Sequence, residues 1–215
     1  MIDESTTGIS VHGQGRMEVE PDIAELQLAV SRMAEAPAGA FEATRAAVGA
    51  VRTSLETSGI SETAIQVSRL RLSAVYDYSN NRQRLTGHEA SADITVAIKD
   101  VNATDTVISA AIDAGANAVQ SLVFDTTRRT ELEESARRAA VADALRKATV
   151  FADAAGVTIG HMLHLEESGG NGPTPFAGKM LMAESADPAF VSGSIGIEAS
   201  VVVRFSISGP TRHET

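Results

Sequence analysis

A chain of 215 residues with 28 acidic against 18 basic side chains has a formal charge of -10, which argues against partners held through Lys and Arg, namely nucleic acid and anionic lipid surfaces. Cysteine is absent, so disulfides, thiolate metal sites and cysteine nucleophiles are excluded. A chain this long buries roughly 70% of the surface that its unfolded form exposes, enough for a hydrophobic core to stabilise it without staples.

The first residues, Met1-Ile2-Asp3-Glu4-Ser5-Thr6-Thr7, have neither the basic n-region nor the apolar h-region of a secretory leader, so the sequence as written reads as cytoplasmic. No window approaches the roughly 20 apolar residues of a spanning helix, and no transmembrane segment is expected. His12-Gly13-Gln14-Gly15 invites comparison with a phosphate loop, but such a loop feeds a helix N-terminus. Here Met17 and Val19 alternate with charged residues, a strand pattern, and Glu18, Glu20 and Asp22 would repel the anion. Gly13 and Gly15 are therefore expected to let a strand bend or another backbone come close.

After Pro21-Asp22, the residues Ala24, Leu26, Leu28 and Val30 alternate with Glu25, Gln27 and Ala29 as a half-buried strand. Pro37 suits the first turn of a helix that closes on Gly59, with Phe41, Thr44, Val48, Val51 and Leu55 facing inward. Alternation returns at Leu70, Leu72, Ala74, Tyr76 and Tyr78 and, beyond a polar segment, at Ala90, Ala92, Ile94, Val96 and Ile98, which predicts a long antiparallel hairpin. A short second helix is expected from an Asn102 cap to Gly115, burying Val107, Ile108, Ala111 and Ile112. A third, from a Thr130/Glu133 capping box to Gly156, carries Leu132, Ala136, Ala139, Ala140, Leu145, Ala148, Ala152 and Ala155 near one side. Those small side chains allow close packing on a sheet or helix. From Ile195 to Ile207 every second residue is apolar, a strand long enough to pair with two neighbours or to bend. The fold class is therefore α+β, with antiparallel sheet covered by a long, a short and a long alanine-rich helix.

Between Ser168 and Ser194 lies a Gly/Pro/Ser-rich stretch that nevertheless contains Phe176, Met180, Leu181, Met182 and Phe190. A plain linker does not carry so many large apolar residues. Either the stretch packs on its own domain, or these five residues contact a neighbouring subunit or partner.

No catalytic constellation emerges. His213 sits in the polar tail. His161 and His164, three apart in a strand, should point to opposite faces and so should not share a metal. His88-Glu89 has no nucleophile elbow to serve, and the acidic neighbours Glu133-Glu134 and Glu166-Glu167 read as solvated faces. No catalytic, cofactor or metal residue is assigned.

The order of these elements resembles the SIMPL domain family of mostly uncharacterised bacterial proteins. The motifs that carry the resemblance are the Gly-x-Gly strand, Pro21-Asp22-x-Ala24, Gly59-Ile60, Gly87-His88-Glu89-Ala90, Asp113-Ala114-Gly115-Ala116, Arg146-Lys147-Ala148 and Ala155-Gly156-Val157. It covers residues 8–207. The family includes a periplasmic, outer-membrane-associated immunogen, and the resemblance implies a single domain over 8–207 with tails at 1–7 and 208–215. Two α+β subdomains that exchange a strand, 8–100 and 101–207, are the other division it allows. It also implies self-assembly, since at least one member forms a large ring-like oligomer, and it carries over no catalytic residue. Many relatives begin with a leader or lipid-attachment site, so export is the alternative to a cytoplasmic location. The expected function is a non-catalytic scaffold or binding protein without cofactor, with a small-molecule binder or cryptic hydrolase near Tyr76, Tyr78 and His88 as the alternative.

Overall fold

Two stretches of chain, residues 21–127 and residues 8–20 with 128–168 and 194–210, form separate compact units in the computed structural model, which describes residues 8–78, 83–168 and 193–210. Both are α+β with wholly antiparallel sheets, as the hydrophobic alternation predicted.

The 21–127 unit contains β2 (Ile23–Ala34), α1 (Pro37–Thr57), β3 (Ile65–Asp77), β4 (Arg84–Ile98), α2 (Thr104–Asp113) and β5 (Ala118–Asp125), the other unit's first strand being β1 (Ile9–Val19). Its sheet runs β3-β4-β2-β5. Register places Leu26 opposite Val96 and Leu28 opposite Ile94, so their side chains share one face, and the helices bury that face with Val51, Leu55, Val107 and Ala111. Thr44 is the polar exception on the inner face of α1. Its hydroxyl lies 2.9 Å from both the Ala40 and the Ala90 carbonyl oxygens and donates to one at a time, which satisfies it within the core.

Three helical details differ from the sequence pattern. Phe41 and Val48 are only half-buried, and Ala40 fills the inward position near the start of α1. Asp100, not Asn102, begins the second helical segment: its carboxylate accepts from the Asn102 N–H at 3.0 Å, a 3-10 turn follows at Val101–Ala103, and the α-helix proper starts at Thr104. Ile112 consequently points to solvent.

The second unit pairs β1 with β7 (Ile195–Pro210) and β7 with β6 (Val157–Glu167), and α3 (Arg129–Ala155) lies across one face. The buried row of α3 is Ala136, Ala140, Ala144, Ala148 and Ala152, spaced by four, so Ala144 replaces the expected Leu145, and Leu145 and Ala155 face outward. This row comes so close to β1 that a Cβ added at Gly13 would fall on the Ala140 carbonyl oxygen, and one at Gly15 on that of Ala136. The close backbone approach expected of these glycines is thus made by a helix. No capping box forms at Thr130, because α3 begins at Arg129 and places Thr130 inside the first turn. The position before the helix is Arg128, whose guanidinium pairs with Glu131 at 3.0 Å. The C-terminal end is as expected, with Gly156 in the left-handed conformation at φ 66°.

β1 lies at an edge of its sheet, and α3 supplies partners for its outward backbone groups. Asp143 accepts from the Gln14 N–H at 3.0 Å, Lys147 Nζ donates to the His12 carbonyl oxygen at 2.8 Å, and the two side chains pair with each other at 2.7 Å. Lys147, the Gln14 N–H and Arg146 together hold the Asp143 carboxyl well below the usual aspartate range. A depressed carboxylate stabilises the fold above its unfolded value of about 3.9, and that contribution is lost as pH falls towards its folded value. Between about pH 5 and pH 3, Asp143→Asn is therefore expected to flatten the fall of the denaturant midpoint relative to the wild type. Parallel curves would show that this pairing contributes nothing.

Candidate functional site

Edge strands expose a row of unpaired N–H and C=O groups, and proteins blunt them with charge, bulges or a covering element. β1 is covered by α3. β3, which pairs only with β4 and so forms one edge of the other sheet, opposite β5, is treated differently. Of its thirteen residues Ile65 is buried and Val75 half-buried, and all the others are exposed. Val67, Leu70 and Leu72 pair with Ile94, Ala92 and Ala90, so they lie on the helix-covered face of the sheet. Even so they are 48%, 57% and 49% exposed, because α1 covers β2 and β4 and leaves β3 beyond its flank.

Two irregularities shape this hairpin. Register shifts between Ser68 and Leu70, where Arg69 adopts a positive φ of 45° and reaches Asp93 at 3.9 Å. A left-handed conformation at a residue with a Cβ costs about 1–2 kcal/mol, so the bulge is held by its surroundings. The second shift separates Val75 from Tyr76 and is bridged by the Thr86 hydroxyl, which donates to the Val75 carbonyl at 2.9 Å. Beyond it Tyr76 and Tyr78 pack at 6.5 Å between ring centroids, and both are exposed. The stretch 65–86 contains four arginines, at 69, 71, 82 and 84, against the single acid Asp77, in a chain of net charge -10. This stretch of the hairpin is thus basic and apolar, while Glu89 and Asp93 lie further along β4. The alternation in sequence predicts the hairpin but does not single out Arg69, Arg71 and Arg84. The local arginine excess in an acidic chain was the signal that could have found them.

The residues weighed for chemistry are dispersed. His88 pairs across the sheet with Ala34 and Ala74, and its Nδ1 lies 3.1 Å from the Glu35 carbonyl oxygen, a backbone contact that gives it no acidic or nucleophilic partner. Glu134 pairs with Arg138 at 2.9 Å, Glu167 with Arg137 at 2.9 Å, and Glu133 with Arg137 at 3.7 Å, all at the surface, where such pairs contribute little. Asp22, of the Pro21-Asp22 motif, is structural: its carboxylate accepts from the Thr127 N–H and hydroxyl, both at 2.7 Å, and these bonds lower its pKa. Among the described residues no three His, Asp or Glu side chains form a group that could hold a metal ion. His161 and His164 do not sit on opposite faces as simple alternation required. β6 is irregular between Ile159 and Met162 and again between Met162 and His164, so His164 pairs with Arg204 while His161 Nδ1 lies 3.2 Å from the Ser206 hydroxyl, on the same side of β7. His213 lies outside the described residues, as do Phe176, Met180, Leu181, Met182 and Phe190.

No helix among the described residues is long and apolar enough to cross a membrane. The chain is 29% identical over 164 residues to the 26 kDa periplasmic immunogenic protein of Brucella melitensis, an alignment covering 74% of this chain and 66% of that protein. It is 26% identical over 145 residues to the uncharacterized protein YggE of Escherichia coli K12, covering 67% and 59% of the two chains. A YggE of Edwardsiella ictaluri is 24% identical over 149 residues, with 69% and 62% covered. The matched region therefore spans less than two thirds of each of these relatives. Residues 9–205 match the model of the SIMPL family, described as a protein of unknown function (DUF541), and the chain belongs to that family.

Proposed function

We propose that this protein is a non-catalytic binding protein that assembles with copies of itself through the β3–β4 hairpin. The observation that carries this reading is the apolar row Val67, Leu70 and Leu72 on a long, open edge strand. Left bare, such a strand is an aggregation hazard; covered by another chain, it is an interface. Charge selects the occupant. The stretch 65–86 of the hairpin carries four arginines against one acid and the rest of the chain is strongly acidic, so this stretch of one copy is complementary to the body of the next. A contact between two different surfaces is heterologous, and repetition of it closes into a ring when the rotation per subunit permits. Phe176, Met180, Leu181, Met182 and Phe190 would add apolar contact area to the same assembly. The name of the Brucella relatives supports a periplasmic setting.

Light scattering coupled to size exclusion tests this. The wild-type chain is expected to elute as a discrete oligomer whose mass falls at high salt, and the exposed pair Leu70→Glu and Leu72→Glu is expected to reduce it to monomer with the fold intact by circular dichroism. Deleting residues 172–188 should reduce the assembly to smaller species. A wild-type monomer at every concentration would overturn the reading, and an unchanged mass in the double variant would remove the hairpin from it.

A further inference from the structure

A second cluster of chemistry-bearing side chains lies on the 128–168 and 194–210 unit, on the sheet face turned away from α3. Ile197, Ala199, Val201, Val203 and Phe205 of β7 pack beneath α3, so the intervening side chains, Arg204 and Ser206 among them, point the other way. Register sets Ser10 of β1 and His164 of β6 on either side of Arg204, and His161 meets Ser206 one step further along. The two bulges in β6 are what bring both imidazoles to this face. Arg204 is half-buried, and its Nε is shielded from solvent with no hydrogen-bond partner. A buried charged donor without an acceptor is costly and uncommon in folded proteins. Around it stand groups of one kind, a guanidinium, two imidazoles and the hydroxyl of Ser10, able to donate to a single acceptor-rich ligand, while the Ser206 hydroxyl donates to the His161 carbonyl oxygen at 3.3 Å.

We propose that this face binds a phosphate group, with the planar fork of Arg204 holding two of its oxygens and His161 and His164 supplying further donors. Arginine suits this because its N–H groups match the spacing of phosphate oxygens. The other charged groups on the face lie on the neighbouring row and fit the scheme. His12 on β1 and Glu166 on β6 flank Val202. Glu166 lies 3.4 Å from Nε2 of His164 and orients that ring, which leaves Nδ1 for the ligand. Glu198, further along β7, is engaged with Arg16 at 3.4 Å. A protonated imidazole adds positive charge to the donors facing a phosphate anion, so binding is expected to be tighter at lower pH.

The test is a titration of the full chain with inorganic phosphate at about pH 6 and about pH 8, at matched ionic strength, followed by the imidazole and backbone resonances in NMR spectra. Saturable shifts confined to β6, β7 and the start of β1 are expected, with affinity about tenfold weaker at the higher pH. Arg204→Gln is expected to abolish the saturation and His164→Gln to weaken it while reducing its pH dependence; Arg71→Gln, in the other unit, should leave it unchanged. Acetate at the same concentrations should not reproduce the shifts, and if it does the phosphate assignment falls. Unmoved imidazole resonances, equal shifts with sodium chloride, or full binding by Arg204→Gln would each overturn the proposal. Should Arg204→Gln fail to fold, the exposed pair His161→Gln and His164→Gln decides it, since retained binding there leaves the face without its donors.

Discussion

Gly15→Ala is expected to destabilise the β1-β7-β6 unit by about 3 kcal/mol, the upper range for an overpacked site. The added methyl would land on the Ala136 carbonyl oxygen and come within 2.6 Å of the Ala140 nitrogen, both helix backbone that cannot rotate aside. α3 would have to retreat from β1. Its buried row consists of alanines, whose single methyls touch the sheet only at close range, so retreat loses contact along the whole stripe. Gly13→Ala meets the Ala140 carbonyl in the same way. Gly49→Ala is the internal control. Gly49 lies inside α1 with nothing within 4 Å of the added methyl, and there alanine is expected to raise stability by about 0.5–1 kcal/mol. Denaturant unfolding of the three variants checks the contrast. A Gly15→Ala protein within about 1 kcal/mol of wild type would mean that helix and strand are not in backbone contact.

Leu28→Ala and Leu70→Ala should differ by several kcal/mol although both leucines belong to alternating strands of one sheet. Leu28 is 0% exposed among Val51, Ile94 and Val96, and its truncation is expected to cost about 2–5 kcal/mol, through lost burial and the cavity left behind. Leu70 is 57% exposed, and its truncation should fall within about 0.5 kcal/mol. If Leu70→Ala proves as costly as Leu28→Ala in protein that elutes as monomer, the edge strand is covered by the chain itself and the proposed interface is lost. A cost at Leu70 that appears only when the protein is assembled, and that varies with protein concentration, would instead place the leucine at a contact between copies.

Much of the fold was legible from local patterns. Period-two alternation marked β2, β4 and β7, the three- and four-residue spacing of Phe41, Thr44, Val48, Val51 and Leu55 marked α1, and the glycines after each helix marked its end. Boundaries that depended on distant partners were not legible. The start of α3 follows a turn tied to Asp22, a residue 105 positions away in sequence, and nothing near Thr130 reveals that the helix begins before it.

By itself, the sequence determined the α+β class, the antiparallel strands, the alanine-rich helix and two glycines placed for a bend or a close backbone approach. Each of these follows from short-range periodicity or from the absence of a side chain. Tertiary structure alone decided which alternating strand would be buried and which left bare. Leu26 and Leu28 read the same as Leu70 and Leu72 in sequence, and only the placement of α1 over β2 and β4 separates core from exposed edge. It decided equally that His161 and His164 share a face with Arg204, because a bulge shifts side-chain phase without changing the spacing along the chain. Periodicity is a property of neighbouring residues, whereas burial and convergence are set by whichever distant element packs on them.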